Sequence, residues 1–168
     1  LREEVTIFPN ENAGDLHDRL MKYGARLIIR TLSAITENSI SPQPQTNFMI
    51  PGEILRTAPK IFPEHCIVDW NNTPERIHNL IRGLSPSPTA RSAFIKENKT
   101  VSYKIFESLP ESEAHNKRAG EISSDGKSYL KIACKGGFVR ILNLQAEGRN
   151  RLNVNEFLRG FRIEGFSS

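Results

Sequence analysis

The sequence predicts a mainly β domain with helices (α+β), in which a small closed barrel follows a helical and linker segment. Three observations carry this. From Ala90 onward apolar residues recur with a period of two. Turn signals at Asn98-Lys99, Asp125-Gly126 and Lys135-Gly136-Gly137 cut that stretch into five short strands. The residues before it either repeat at three and four or are rich in proline. Strand number and turns favour closure over an open sheet, and by themselves leave an OB-like and an SH3-like barrel both open.

Val5 and Ile7 alternate with polar neighbours and Pro9 stops the run, which predicts a short strand. Asn12 then caps a helix, with Asp15 near its positive end. Leu16, Leu20, Tyr23, Leu27, Thr31 and Ile35 draw one apolar stripe along it. Gly24 inside that helix costs about 1 kcal/mol against Ala, so close packing on a neighbour is expected there.

Between residues 38 and 63 lie Pro42, Pro44, Pro51, Pro59 and Pro63, a density that excludes a regular helix and favours a semi-stiff connection. Thr73 and Pro74 open a second helix, with Ile77, Leu80, Ile81 and Leu84 as its buried face. Gly83 and Ser85-Pro86 end it. In the β part, Val101, Tyr103 and Ile105 alternate with Ser102, Lys104 and Phe106. Strands at Gly120–Ser123 and Ser128–Cys134 flank the Asp125-Gly126 turn, and Phe138–Gln145 follows. Asn153 caps a last helix, with Glu156 at its third position and Gly160 at its end.

With 168 residues, 38% of them apolar and 25% charged, the chain fits one or two ordinary globular domains. No apolar run has the length of a membrane span, so no membrane role is expected. The opening LREEVTIFPN has neither the basic flank nor the apolar stretch of a signal peptide, and it lacks an initiator Met, as expected of a piece of a longer protein. Cys66 and Cys134 are isolated thiols, which points to the cytoplasm. Residues 1–84 hold nine Lys/Arg against ten Asp/Glu, and residues 85–168 fourteen against nine. A basic second half suits a phosphate-bearing partner.

No catalytic or metal site is legible. His17, His65, His78 and His115 are scattered and share no ligand spacing with the cysteines. His65-Cys66 lacks a third group, and no phosphate-cradling glycine loop opens a helix.

Four segments in order, AGDLHDRLMKYGARLIIRTL, APKI with VDW, PERIHNLIRGLSPSP and NRLNVNEFLRGFRI, resemble the carboxy-terminal part of the methionyl-tRNA formyltransferase family. The resemblance covers nearly the whole chain and favours the OB-like barrel. It implies that residues 1–37 are the last strand and helix of an upstream Rossmann-like formyltransferase domain. Residues 38–72 would be a linker, and residues 73–168 a helix plus an OB-like carboxy-terminal barrel complete in itself. The implied enzyme is cytoplasmic and formylates initiator methionyl-tRNA from 10-formyltetrahydrofolate. The family's catalytic Asn, His and Asp motifs do not occur in this sequence, so no catalytic or cofactor-binding residue carries over and the chain alone is expected to be inactive. Partners implied are initiator methionyl-tRNA and the catalytic domain in cis. A monomer is expected, with the unpartnered first helix as a place where copies could associate. Ser87 departs from the family, which usually has an aromatic residue between Pro86 and Pro88. The end of a sugar-nucleotide formyltransferase shares the architecture and is one other reading; a stand-alone OB-type RNA-binding module is another, against which the strand and helix of residues 5–37 argue.

The residues left to hold RNA are basic. Lys60 matches a linker lysine of the family, and Arg82 stands four residues after His78 on the second helix. Lys96 and Lys99 flank a turn, Lys131, Lys135 and Arg140 lie on neighbouring strands, and Arg149 and Arg151 sit in a polar loop. Cations on phosphates add affinity without reading bases. Asp69 is read as a local acceptor and Trp70 as a packing anchor.

Overall fold

The computed structural model describes residues 1–168 except Glu53, Leu55, Asn98 and Glu164, and describes Lys99 by its backbone alone. Helix α1 spans Ala13–Thr36 and starts on a capping box in which Asn12 and Asp15 each accept the other's backbone N–H. Two 3-10 turns, Gln45–Phe48 and Pro63–Cys66, interrupt the proline-rich stretch. Helix α2, Pro74–Leu84, is capped by Thr73, and helix α3, Val154–Gly160, by an Asn153–Glu156 box.

The strands are β1 Ala90–Lys96, β2 Lys99–Glu111, β3 Ile122–Ser124, β4 Leu130–Cys134, β5 Gly137–Ala146 and β6 Leu152–Asn153. They form one antiparallel sheet in the order β1-β2-β5-β4-β3, with β6 pairing β5 after β4 has ended. Register shifts around Glu107 leave Phe106 out of the β2–β5 pairing. Such a bulge bends its strand and strengthens the twist. The sheet curls far enough for one residue to touch both of its edges. Ser167 bridges Ile95 in β1 and also Glu121 just before β3. Ile95 and Ser167 exchange both backbone hydrogen bonds (2.7 and 2.8 Å), and Ser168 N donates to Gly120 O (2.7 Å). A five-strand count from sequence thus becomes, among the described residues, six strands plus a closing tail.

Inside the curl lie Ile105, Leu130, Ile132, Val139, Ile141 and Leu144, all fully buried. Phe94 stacks on Tyr103 with centroids 4.0 Å apart, and Phe157, Phe161 and Phe166 extend this cluster toward α3 and the tail. Helix α2 covers one side through Ile77, Ile81 and Leu84.

The structure differs from the sequence reading in three further places. Residues 1–8 form no strand, because no strand of this chain lies alongside to take their backbone bonds. Gly24 has open space where a Cβ would stand; the close approach is made by Gly14, whose missing Cβ makes room for the Pro86 ring. The boundary at residue 73 cuts through the core, since Cys66, Val68 and Trp70 are buried in it and Val68 N donates to Arg91 O (2.9 Å). These three sit among prolines and polar residues, which hides their burial from any periodicity argument.

Helix α1 buries none of its residues. Its start is pinned to α2 through Gly14 N–Ser85 O (3.1 Å) and through Arg82, which donates to the carbonyls of Glu11 (3.1 Å) and Phe8 (3.5 Å). Beyond that anchor, Met21, Ile28, Ile29 and Leu32 face outward, each more than half exposed. No described helix is long and apolar enough to cross a membrane.

Candidate nucleic-acid interface

The cations expected to meet RNA fall into three groups by what they already touch. Lys131, Arg140 and Arg151 are paired with carboxylates. The Lys131 ammonium lies 2.7 Å from Glu113 and 3.6 Å from Glu111, and rests over the Phe138 ring. Its pKa is pushed up, first by the hydrogen bond to Glu113. Arg140 reaches the same Glu111 (3.5 Å), and Arg151 meets Glu107 (2.5 Å) while stacking over Phe106 (4.4 Å).

Arg82 forms the second group. Half-buried, it donates to Asn79 (2.7 Å) and to the carbonyls of residues 8 and 11, so its guanidinium ties the N-terminal segment to α2. Burial is also the surprise at His78. This histidine lies in the interface of α2 with β2, its Nδ1 3.2 Å from Ser108 Oγ, with no hydrogen bond at Nε2. Burial, then the neighbouring Arg82, lowers its pKa.

Lys60, Lys96, Lys135 and Arg149 make up the third group, with exposed side chains. Lys60 lies 5.6 Å from the Phe62 ring and Lys96 5.8 Å from that of Phe166. Lys135 and Arg149 occupy turns after β4 and β5. Lys99 pairs with Lys96 across the β1–β2 turn, and its side chain lies outside the described residues.

Sequence reasoning missed two cations. Arg91 and Lys104 stand opposite each other on β1 and β2 and line a groove of about 870 Å³ with Trp70, Ala93, Gln145 and Ser168. Neither has a carboxylate partner among the described residues. Asp69 and Trp70 take the roles read from sequence. Asp69 accepts from the backbone and side chain of Asn71 and from Asn72, which lowers its pKa, and Trp70 is buried with its indole N–H on Ser92 Oγ (3.1 Å).

Among the described residues no three His, Cys, Asp or Glu side chains gather as a metal site. Both cysteines are free and buried, and burial pushes the Cys134 thiol up to about 11, away from a nucleophilic thiolate.

A curled antiparallel sheet flanked by helices defines a small β domain. The family model described as formyl transferase, C-terminal domain, matches residues 60–162, and the chain belongs to that family. Methionyl-tRNA formyltransferase of Bacteroides thetaiotaomicron is 43% identical over 160 residues, covering 95% of this chain and 49% of the relative. The enzyme of the same name from Flavobacterium johnsoniae is 41% identical, with the same two shares. The chain thus spans about half the length of the curated relatives it matches. Among solved structures, a variant of HypX from Aquifex aeolicus superposes with a TM-score of 0.60 at 19% identity, over 93% of this chain and 28% of HypX. HypX in complex with tetrahydrofolic acid gives 0.53 at 20% identity, over 84% of this chain and 26% of that one. At such identities the likeness is one of fold.

Proposed function

We propose that this chain is the tRNA-holding, carboxy-terminal part of a cytoplasmic methionyl-tRNA formyltransferase, with an OB-like barrel as its RNA-binding body. The whole enzyme transfers a formyl group from 10-formyltetrahydrofolate to the amino group of initiator methionyl-tRNA. The observation that carries the reading is the run of relatives of that name matched over 95% of the chain. The exposed Lys60, Lys96, Lys135 and Arg149 supply charge for phosphates, with Lys99 beside Lys96 at the same turn. Lys131, Arg140 and Arg151 join once their carboxylates are displaced. Arg82 contributes by fixing α2 against the N-terminal segment.

Formyl transfer needs an oxyanion donor and a base for the amine proton. We assign both to the half of the enzyme that this chain does not span, acting in cis, and the positioning of the RNA to this chain. Two assays on the 168-residue chain test this. Methionyl-tRNA with 10-formyltetrahydrofolate should give background formylation only, and turnover at an enzymatic rate would place catalysis here. Labelled tRNA should bind with an affinity that falls steeply with salt, on the non-specific scale of roughly 10⁻⁴–10⁻⁶ M near physiological salt. A chain that ignores tRNA at low salt would favour the sugar-nucleotide branch of the family.

A further inference from the structure

Strand β1 leaves the backbone of one residue unmet. In an antiparallel ladder, alternate residues turn their N–H and C=O to opposite edges. Ile95 spends both groups on Ser167, and the Arg91 carbonyl accepts from Val68 N, so Arg91, Ala93 and Ile95 all face away from β2. Ala93, between the two, has no backbone partner on that edge among the described residues, and it lines the 870 Å³ groove. The gap is one residue long, closed by Ile67–Val68 at one end and by Ser167 at the other. An added peptide strand needs successive main-chain pairs, which this gap does not offer. A single flat group with a donor beside an acceptor fits it, and every nucleobase has such an edge. Ile67 and Ile95, 57% and 46% exposed, give that group apolar flanks.

Charge points the same way. Arg91 and Lys104 are neighbours across the β1–β2 ladder at the groove, without the carboxylates that engage Lys131, Arg140 and Arg151. Two acids also line it. Asp69 is held by Asn71 and Asn72, and Glu147 lies just past the end of β5, so phosphates are confined to the Arg91–Lys104 side. On the floor, Trp70, Ser92, Ser168 and Tyr103 form a chain of three hydrogen bonds (3.1, 2.7 and 2.6 Å). Four donor hydrogens serve those three bonds, which leaves one hydroxyl hydrogen to give.

We propose that this groove seats one unpaired RNA nucleotide. Its base edge meets the N–H and C=O of Ala93 between Ile67 and Ile95, and its phosphates lie on Arg91 and Lys104. The proposal rests on the RNA-binding reading above and adds where, and in what form, the RNA is gripped. Base identity matters little, because the contact uses a donor and acceptor that all bases share.

Trp70 is the chain's single tryptophan and lines the groove, so its fluorescence reports occupancy. The 168-residue protein is titrated with single-stranded RNA tetranucleotides of adenine and of cytosine, with a blunt RNA duplex, and with labelled tRNA followed by anisotropy. Both tetranucleotides should quench Trp70 saturably and the duplex should not. The double variant Arg91→Ala/Lys104→Ala should bind the tetranucleotides on the order of tenfold more weakly, with a salt slope shallower by about 0.7 for each phosphate no longer neutralised. Ala93→Pro deletes the edge donor while sparing the bonds to β2, and should weaken binding about fivefold with cooperative melting retained. Equal affinity of wild type and double variant, or no saturable quenching, overturns the seat. Loss of tRNA binding by the wild type overturns the broader reading, whereas tRNA binding without tetranucleotide quenching overturns the groove alone.

Discussion

Lys131 and Arg140 stand directly opposite each other on β4 and β5 and share one carboxylate, that of Glu111, at 3.6 and 3.5 Å. Two cations side by side would repel, and Glu111, with Glu113 on Lys131, removes that cost. Ion pairs open to solvent are worth only ~0–1 kcal/mol, so a phosphate can take either acid's place. The pair is a guarded site whose availability the acids set.

Removing the guards should therefore act opposite to removing the cations. Glu111→Gln/Glu113→Gln is expected to tighten tRNA binding several-fold at low salt. Lys131→Ala/Arg140→Ala should weaken it and lower the salt slope by roughly 0.9 for each phosphate set free. Anisotropy titrations at two salt concentrations measure both, and a like sign for the two variants would show that these side chains do not meet RNA.

The amino-terminal limit of the β domain is a second test. A protein starting at Lys60 keeps Cys66, Val68 and Trp70, all buried, and should melt cooperatively. One starting at Pro74 loses that burial, worth at least about 5 kcal/mol, which is the margin of a small domain. Calorimetry should show no cooperative transition for the shorter protein.

Gly120 and Gly136 both have positive φ (+85° and +83°), but a Cβ at Gly120 would collide with the Ser168 carbonyl whereas one at Gly136 meets open space. Gly136→Ala should cost about 1 kcal/mol, the backbone term alone. Gly120→Ala should cost about 2 kcal/mol or more, because the tail must leave its seat. Urea denaturation of the two variants gives the difference, and equal losses would mean that the tail contributes nothing to stability.

His78 supplies a pH dependence. Its folded pKa lies below the ordinary 6.5, by burial and then by Arg82. As pH falls through about 6.5 the unfolded chain takes up a proton that the folded chain refuses, so stability declines on the acid side and is unaffected well above it. Urea midpoints at about pH 7.5 and 5.5 should differ more for wild type than for His78→Gln. A larger drop in the variant would remove His78 as the cause.

Local signals in the sequence located every helix start. Asn12, Thr73 and Asn153 cap the three helices because capping chemistry acts within four residues. The groove was half legible. Lys96 and Lys99 flank the first turn, and the same register, carried back along both strands, sets Arg91 against Lys104. What could not be read is the part made by distant pieces. Nothing near Ser167 marks it as a β partner, since its bonds go to Ile95 and its bridge to Glu121. Nor does any local pattern assign Glu111 to Lys131 and Arg140, because that assignment follows from the β2–β5–β4 order.

The Ser167 seam also orders events during synthesis. Strands β1 to β6 can pair as they leave the ribosome, since every one of these pairings lies within residues 90–153. The edges at Ile95 and Glu121 cannot be sealed until residues 161–168 have emerged. Until then the nascent domain carries two open strand edges, the feature most prone to pairing with a neighbouring chain. Chaperones that shield strand edges would be needed latest, at the moment translation of this stretch ends.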